Sequence, residues 1–180
     1  MTLSAMEAIE RRRTVRRYRL DPVPSELLVR IVEAATQAPT SGNIQPWEFI
    51  RVVTPEVKER LVASTYGGYS QTAPSQGWLL DAPELLAACS NAVRTMARYG
   101  EGGRRYARLD VAAAIQNMLI AATALGLGAA WIGGFRELEA RYALNLDTEL
   151  ELISLIALGY SAEEPAKPYR MPISDILTEV

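Results

Sequence analysis

Pro39-Thr40-Ser41-Gly42-Asn43-Ile44-Gln45-Pro46-Trp47 is the stretch from which this chain is best read. It stands directly behind an amphipathic helical pattern and directly ahead of an apolar strand-like run. The two prolines restrict themselves and the residues before them, and Gly42 permits positive φ. Thr40, Ser41, Asn43 and Gln45 supply donors and acceptors. A polar loop held in this way is an ordinary surface turn or a presenter of hydrogen bonds to a ligand, and its own residues leave both readings open.

Outward toward the N-terminus, Pro24 opens a helix in which Leu27, Leu28, Ile31, Val32, Ala34 and Ala35 oppose Glu26, Arg30 and Glu33, ending near Ala38. Ala5, Met6, Ala8 and Ile9 predict a shorter helix over about residues 3–13. Outward toward the C-terminus the pattern predicts a strand at 49–53, a helix at 55–64 and a buried strand at 85–89. The segment from Tyr66 to Trp78 is rich in Gly, Ser and aromatics. Tyr99 to Arg108, with Gly100, Gly102, Gly103 and three arginines, reads as a mobile loop. Asp110 then opens a helix of about four turns ending at Gly126, and its many alanines favour close approach of another helix. Strands follow at 129–132 and 152–158, with a short polar helix near 136–144 between them. These elements make an α+β protein, and the 180 residues fit a single domain over 1–180.

Composition removes whole classes of chemistry. The chain has 49% hydrophobic and 22% charged residues, the balance of a soluble globular protein. Its first residues carry two glutamates and no apolar h-region, so cytoplasm is the expected location. Val111 to Phe135 holds no charge, but Gln116, Asn117 and four glycines read as a core helix, a stop and a core strand, not as a membrane span. No histidine occurs, which excludes Ser-His-Asp and Cys-His catalysis and histidine-ligated zinc; with Cys89 the only cysteine, no metal site is expected. Cys89, inside an apolar run, reads as a small buried hydrophobe.

Charge is the second signal. Arg11, Arg12, Arg13, Arg16, Arg17 and Arg19 crowd one short segment without an acid, in a chain of net charge −2. A nucleic-acid-binding domain carries a basic surplus, whereas this chain has a pI near 5.4. The arginine run therefore serves one compact anion or is the solvated basic end of a helix.

Four segments together resemble the FMN-dependent nitroreductase family in content, order and spacing: Arg12-Arg13-Thr14-Val15-Arg16, the loop 39–47, Gly126-Leu127-Gly128 through Gly133-Gly134-Phe135, and Lys167-Pro168-Tyr169-Arg170. The likeness spans nearly the whole chain. It implies a three-layer α/β/α arrangement around a central mixed sheet, in an intertwined homodimer with FMN at the subunit interface. On this resemblance Arg12, Arg13, Thr14 and Arg16, with Arg170 from the C-terminal segment, serve the phosphate and ribityl chain. Lys167 departs from the pattern: the family places a base two residues before the arginine, where this chain has Pro168. Asn43 and Gln45 read the pyrimidine edge, and Pro39, Thr40 and Ser41 flank the flavin from the partner subunit. Ile132, Gly133 and Gly134 bring backbone to N5 and O4.

Hydride transfer through flavin N5 needs no protein acid or base, so no catalytic side chain is assigned. The implied activity is a ping-pong oxidoreductase that takes hydride from NAD(P)H and reduces nitroaromatic, quinone or related acceptors. No Gly-x-Gly-x-x-Gly follows a strand, so NAD(P)H binds transiently over the flavin. Enone reduction, dehalogenation and flavin fragmentation remain open within the family, as does a flavin sensor or carrier with little turnover. Tyr66, Tyr69, Trp78, Tyr99 and Tyr106 are candidate substrate contacts or local packing.

Overall fold

The computed structural model describes residues 3–68 and 70–180. Local signals account for most of its elements. Helix α1, Ala5–Arg11, begins at Ser4, whose hydroxyl accepts from Glu7 N–H while Glu7 Oε2 accepts from Ser4 N–H, a reciprocal cap. Helix α2 spans Ser25–Thr36 behind Pro24, and strand β1 is Trp47–Arg51. Helix α3, Pro55–Ser64, has proline in its first turn, where no amide is missed. Strand β2 is Glu84–Asn91, followed at once by helix α4, Ala92–Tyr99, and the long helix α5, Gly102–Ala124. Strand β3 (Gly128–Ile132), helix α6 (Glu137–Leu144) and strand β4 (Leu150–Gly159) complete the fold.

The four strands form one sheet in the order β1-β2-β4-β3, every neighbouring pair antiparallel. Among the described residues, the parallel component of the expected mixed sheet is a single bridge, Thr14 to Ala129, on the outer edge of β3. Alternation along the central strands sorts the core into two faces. Leu85, Ala87 and Cys89 of β2, with Leu155 and Ala157 of β4, meet Leu61 and Val62 of α3 and Ala140 and Ala143 of α6. Leu86 and Ala88, with Ile156 and Leu158, meet Ile31 of α2 and Val111, Ile115 and Met118 of α5. Helices thus cover both faces of the sheet, the three-layer α/β/α arrangement. Truncating a fully buried residue such as Leu155 to alanine costs about 2–5 kcal/mol.

The expected mobile loop at 99–108 is instead a tight corner between two helices. Only Gly100 and Glu101 separate α4 from α5, and Gly100 turns the chain at φ 61°. Gly103 is pressed on the backbone of Thr95, so a Cβ there would lie 2.6 Å from Thr95 C and O. Its glycine serves close helix crossing and not flexibility. Asp110, expected to open the helix, lies well inside α5 and is buried. Gln116 is exposed, and Asn117 donates to Ala34 O on α2 at 3.1 Å.

Candidate functional site

The arginine run and the C-terminal segment meet. Val15 N–H donates to Ala129 O at 3.1 Å, which fastens residues 12–16 along the outer edge of β3. Arg12, Arg13, Thr14 and Arg16 then share a hollow of about 350 Å³ with Pro165, Ala166, Pro168 and Arg170. No carboxylate lines it. Burial first, and then the positive charges of Arg170 and Arg13, lower the proton affinity of Arg12. A wall of like charges with no carboxylate in its lining would be offset by an anion, and guanidinium forks suit a phosphate dianion.

The members of this set are not equivalent. Arg13 Nη1 is turned back to Glu10 O at 2.7 Å and Arg12 O at 2.9 Å. Lys167 Nζ lies 3.4 Å from Glu10 Oε1, on an adjoining hollow of about 160 Å³ that Arg12 and Arg170 also line. Glu163, which the sequence reading missed, accepts from the backbone amides of Arg16 and Arg17 at 2.5 and 3.1 Å and so fixes the course of the arginine segment.

Three residues beyond the Ala129 bridge, roughly 10 Å along the strand direction, β3 ends at Ile132, and Gly133-Gly134 follow. Ile132 is buried, and its carbonyl accepts from Ser154 Oγ at 2.9 Å. Gly133 is exposed with nothing within 4 Å of a Cβ position, so backbone there is open to a ligand. Gly134 is spoken for: its carbonyl accepts from Tyr66 N–H, and a Cβ would meet Tyr66 O at 2.7 Å.

The loop 39–47 lies elsewhere. It runs into β1, at the opposite edge of the sheet from β3, three strand spacings or about 14 Å away. Ser41 is tied to Asp110 in the first half of α5, whereas Arg13 shares a surface hollow with Thr123 near the end of that helix. Thirteen helical residues separate these points, about 20 Å. Within the loop a short 3-10 turn, Ser41–Asn43, carries positive φ at Gly42 and Asn43 (59° and 56°), and Gln45 just beyond it has φ 55°. Asparagine tolerates that region, but for glutamine it is strained. Pro39 is exposed, Gln45 N–H donates to Thr40 Oγ1 at 3.3 Å, and Arg98 Nη1 donates to Gly42 O at 3.3 Å.

Among the loop aromatics, Tyr99 and Tyr106 pack edge to face, centroids 5.4 Å apart. A Cβ on Gly42 would lie 2.7 Å from Tyr99 Oη. Trp78 stacks on Tyr18 against the core, and Tyr66 packs on Gly134. Tyr69 lies outside the described residues. Cys89 is buried and its thiol pKa is pushed up to about 12, chiefly by burial. The described residues contain no group of acids and thiols able to hold a metal, and no described helix is long and apolar enough to cross a membrane.

Residues 9–160 match the family model described as Nitroreductase family. A protein of Thermus thermophilus named NADH dehydrogenase is 31% identical, the alignment covering 97% of this chain and 95% of the relative. The chain belongs to the nitroreductase family. The solved NADPH:FMN oxidoreductase of Vibrio harveyi, complexed with NAD+, superposes with a TM-score of 0.85 at 22% identity, covering 97% of this chain and 76% of that one. Nitroreductase A of Vibrio parahaemolyticus superposes at 0.86 with 23% identity, covering 99% and 76%. Both show the nitroreductase fold at an identity that speaks for fold alone.

Proposed function

We infer that this nitroreductase-family chain is an NAD(P)H-dependent FMN oxidoreductase. The carboxylate-free arginine hollow beside the β3 edge carries the reading, because its donors match a phosphate dianion and its uncompensated charge needs one. Arg12, Thr14, Arg16 and Arg170 would hold the phosphate, with Arg13 and Lys167 adding positive charge beside it. Gly133 would leave backbone free to approach the ring. When bound, FMN supplies a ring that accepts a hydride from NAD(P)H and yields it to an acceptor, so a chain without histidine suffices. Donor and acceptor use one face in turn, and quinones and nitroaromatics are the acceptor class.

The partner is a second copy. On α5, Leu109, Ala113, Gln116, Ile120 and Ala124 follow helical spacing and form a stripe open to solvent to differing degrees, with Leu109 56% exposed. Such a mainly apolar stripe is normally covered. The exposed C-terminal residues Met171, Ile173, Ile176 and Leu177 add apolar surface of the same kind. A second copy would also bring its loop 39–45 to the β3 edge, which a chain cannot do with its own loop across the sheet.

The test begins with the purified protein, which is expected to be yellow and to release FMN, not FAD, on denaturation. Stopped-flow mixing with NADH or NADPH alone should bleach the absorbance, and a quinone or nitroaromatic should restore it. Steady-state rates should give parallel double-reciprocal lines; intersecting lines would reject the shared face. Failure of either nicotinamide to bleach a flavin that dithionite reduces would favour a sensor or carrier.

A further inference from the structure

Asp110 does not line the arginine hollow. The residue is 7% exposed, and no lysine or arginine pairs with it among the described residues. A buried carboxylate without a cation is costly unless its hydrogen bonds hold something in place. Its two oxygens divide between two donors on one residue: Oδ2 accepts from Ser41 N–H at 3.1 Å and Oδ1 from Ser41 Oγ at 3.2 Å. Ser41 begins the turn Ser41–Asn43 in a loop whose Gly42, Asn43 and Gln45 all have positive φ. Such backbone persists only where its surroundings over-determine it. Further side-chain ties come from within the loop, Gln45 N–H to Thr40 Oγ1 and Gln45 Nε2 to Asn43 O, and from the exposed side chain of Arg98 on α4 to Gly42 O. Among the described residues, only Asp110 hydrogen-bonds the loop to the packed core helix α5.

We propose that Asp110 is a positioning residue for the loop 39–45, and that the Ser41 hydroxyl is its tether instead of a contact to the cofactor. This rests on the reading of the loop as the part that meets the flavin ring. With the hydroxyl proton committed to Asp110, the donors left to face the ring include the amide side chains of Asn43 and Gln45, the latter's Nε2 making only a long 3.5 Å hydrogen bond to Asn43 O within the loop. Holding Ser41 on a rigid helix sets where those amides stand.

A role confined to the ring end predicts a specific pattern. Full-length protein is titrated with FMN and with riboflavin, which lacks the phosphate, following flavin fluorescence. Asp110→Ala should weaken both ligands by about tenfold, the order of one misplaced hydrogen bond, and leave their affinity ratio as in wild type. Asp110→Asn should stay within about threefold, because its amide can accept from Ser41 N–H and donate to the hydroxyl. Ser41→Ala on top of Asp110→Ala should add nothing further. Unchanged riboflavin affinity in Asp110→Ala overturns the proposal, as does collapse of the FMN-to-riboflavin ratio, which marks a general loss of structure. If Asp110→Ala fails to fold, Ser41→Ala decides: weakening of both ligands at constant ratio supports the tether, and no change overturns it. A wild-type chain that binds neither flavin sinks the reading of the site; a wild type that binds both while the variants match it sinks the tether alone.

Discussion

Arg12 and Arg170, from opposite ends of the chain, line one hollow as unneutralised like charges, and Arg170 is the leading charge, after burial, in lowering Arg12's hold on its proton. Two guanidiniums are not brought together for the stability of the empty fold. Their juxtaposition is an electrostatic cost that a bound anion would offset.

Replacing Arg12, Arg16 or Arg170 by alanine should therefore weaken FMN by about 1.5–3 kcal/mol, the range for hydrogen bonds to a charged group. Riboflavin affinity should hardly change, and the FMN-free Arg170→Ala protein should melt no lower than wild type. Isothermal titration and thermal melts read both. Unchanged FMN affinity in all three variants would remove these residues from the site.

Gln45 has φ 55°, a conformation that costs an L-residue about 1–2 kcal/mol and glycine little. Gln45→Gly is expected to leave the FMN-free protein as stable as wild type or up to about 1 kcal/mol more stable, while FMN binds more weakly for want of the side-chain amide. Urea midpoints without FMN and fluorescence titrations with it check the two halves. A clear loss of stability would mean that the backbone there is not strained.

A loop and an arginine hollow at opposite edges of the sheet predict complementation between copies. Asp110→Ala and Arg16→Ala chains, co-expressed with different tags and purified as the mixed pair, should regain about half of the wild-type flavin content, because one site then draws both intact parts from different chains. Mixed pairs no better than either parent would place both parts of each site in one chain.

Burial raises the proton affinity of the Cys89 thiol to a pKa of about 12, against about 8.5 in an unfolded chain. The folded state therefore holds the proton more tightly. The stability this contributes is complete below about pH 8.5 and is lost as pH rises toward 12. Cys89→Ala should flatten part of the alkaline fall in urea midpoint over that window. Tyr18, whose phenol is also raised chiefly by burial, accounts for a share that remains. In native protein at pH 8, iodoacetamide should leave Cys89 unmodified until urea is added.

The elements legible from sequence are those whose signal is local. Helix α3 spans 55–64 as its proline and apolar spacing predict, and the buried runs at 85–89 and 152–158 fall inside β2 and β4. Period-two and period-3.6 patterns report burial directly, and that is all these assignments require. The arginine run and the polar loop were likewise visible, because charge without acids and amides between prolines are properties of adjacent residues.

What the tertiary structure decided was every relationship between distant residues. Gly103 looked like flexibility and is a close helix crossing, since the absence of a side chain permits either one and only the neighbouring Thr95 backbone chooses. Asp110 looked like a helix start and is the buried partner of Ser41, a contact between residues with no shared local pattern. The strand order sets the loop and the arginines at opposite sheet edges. Residue types within a window fix which groups face inward, but strand pairing and helix packing fix which of those groups meet.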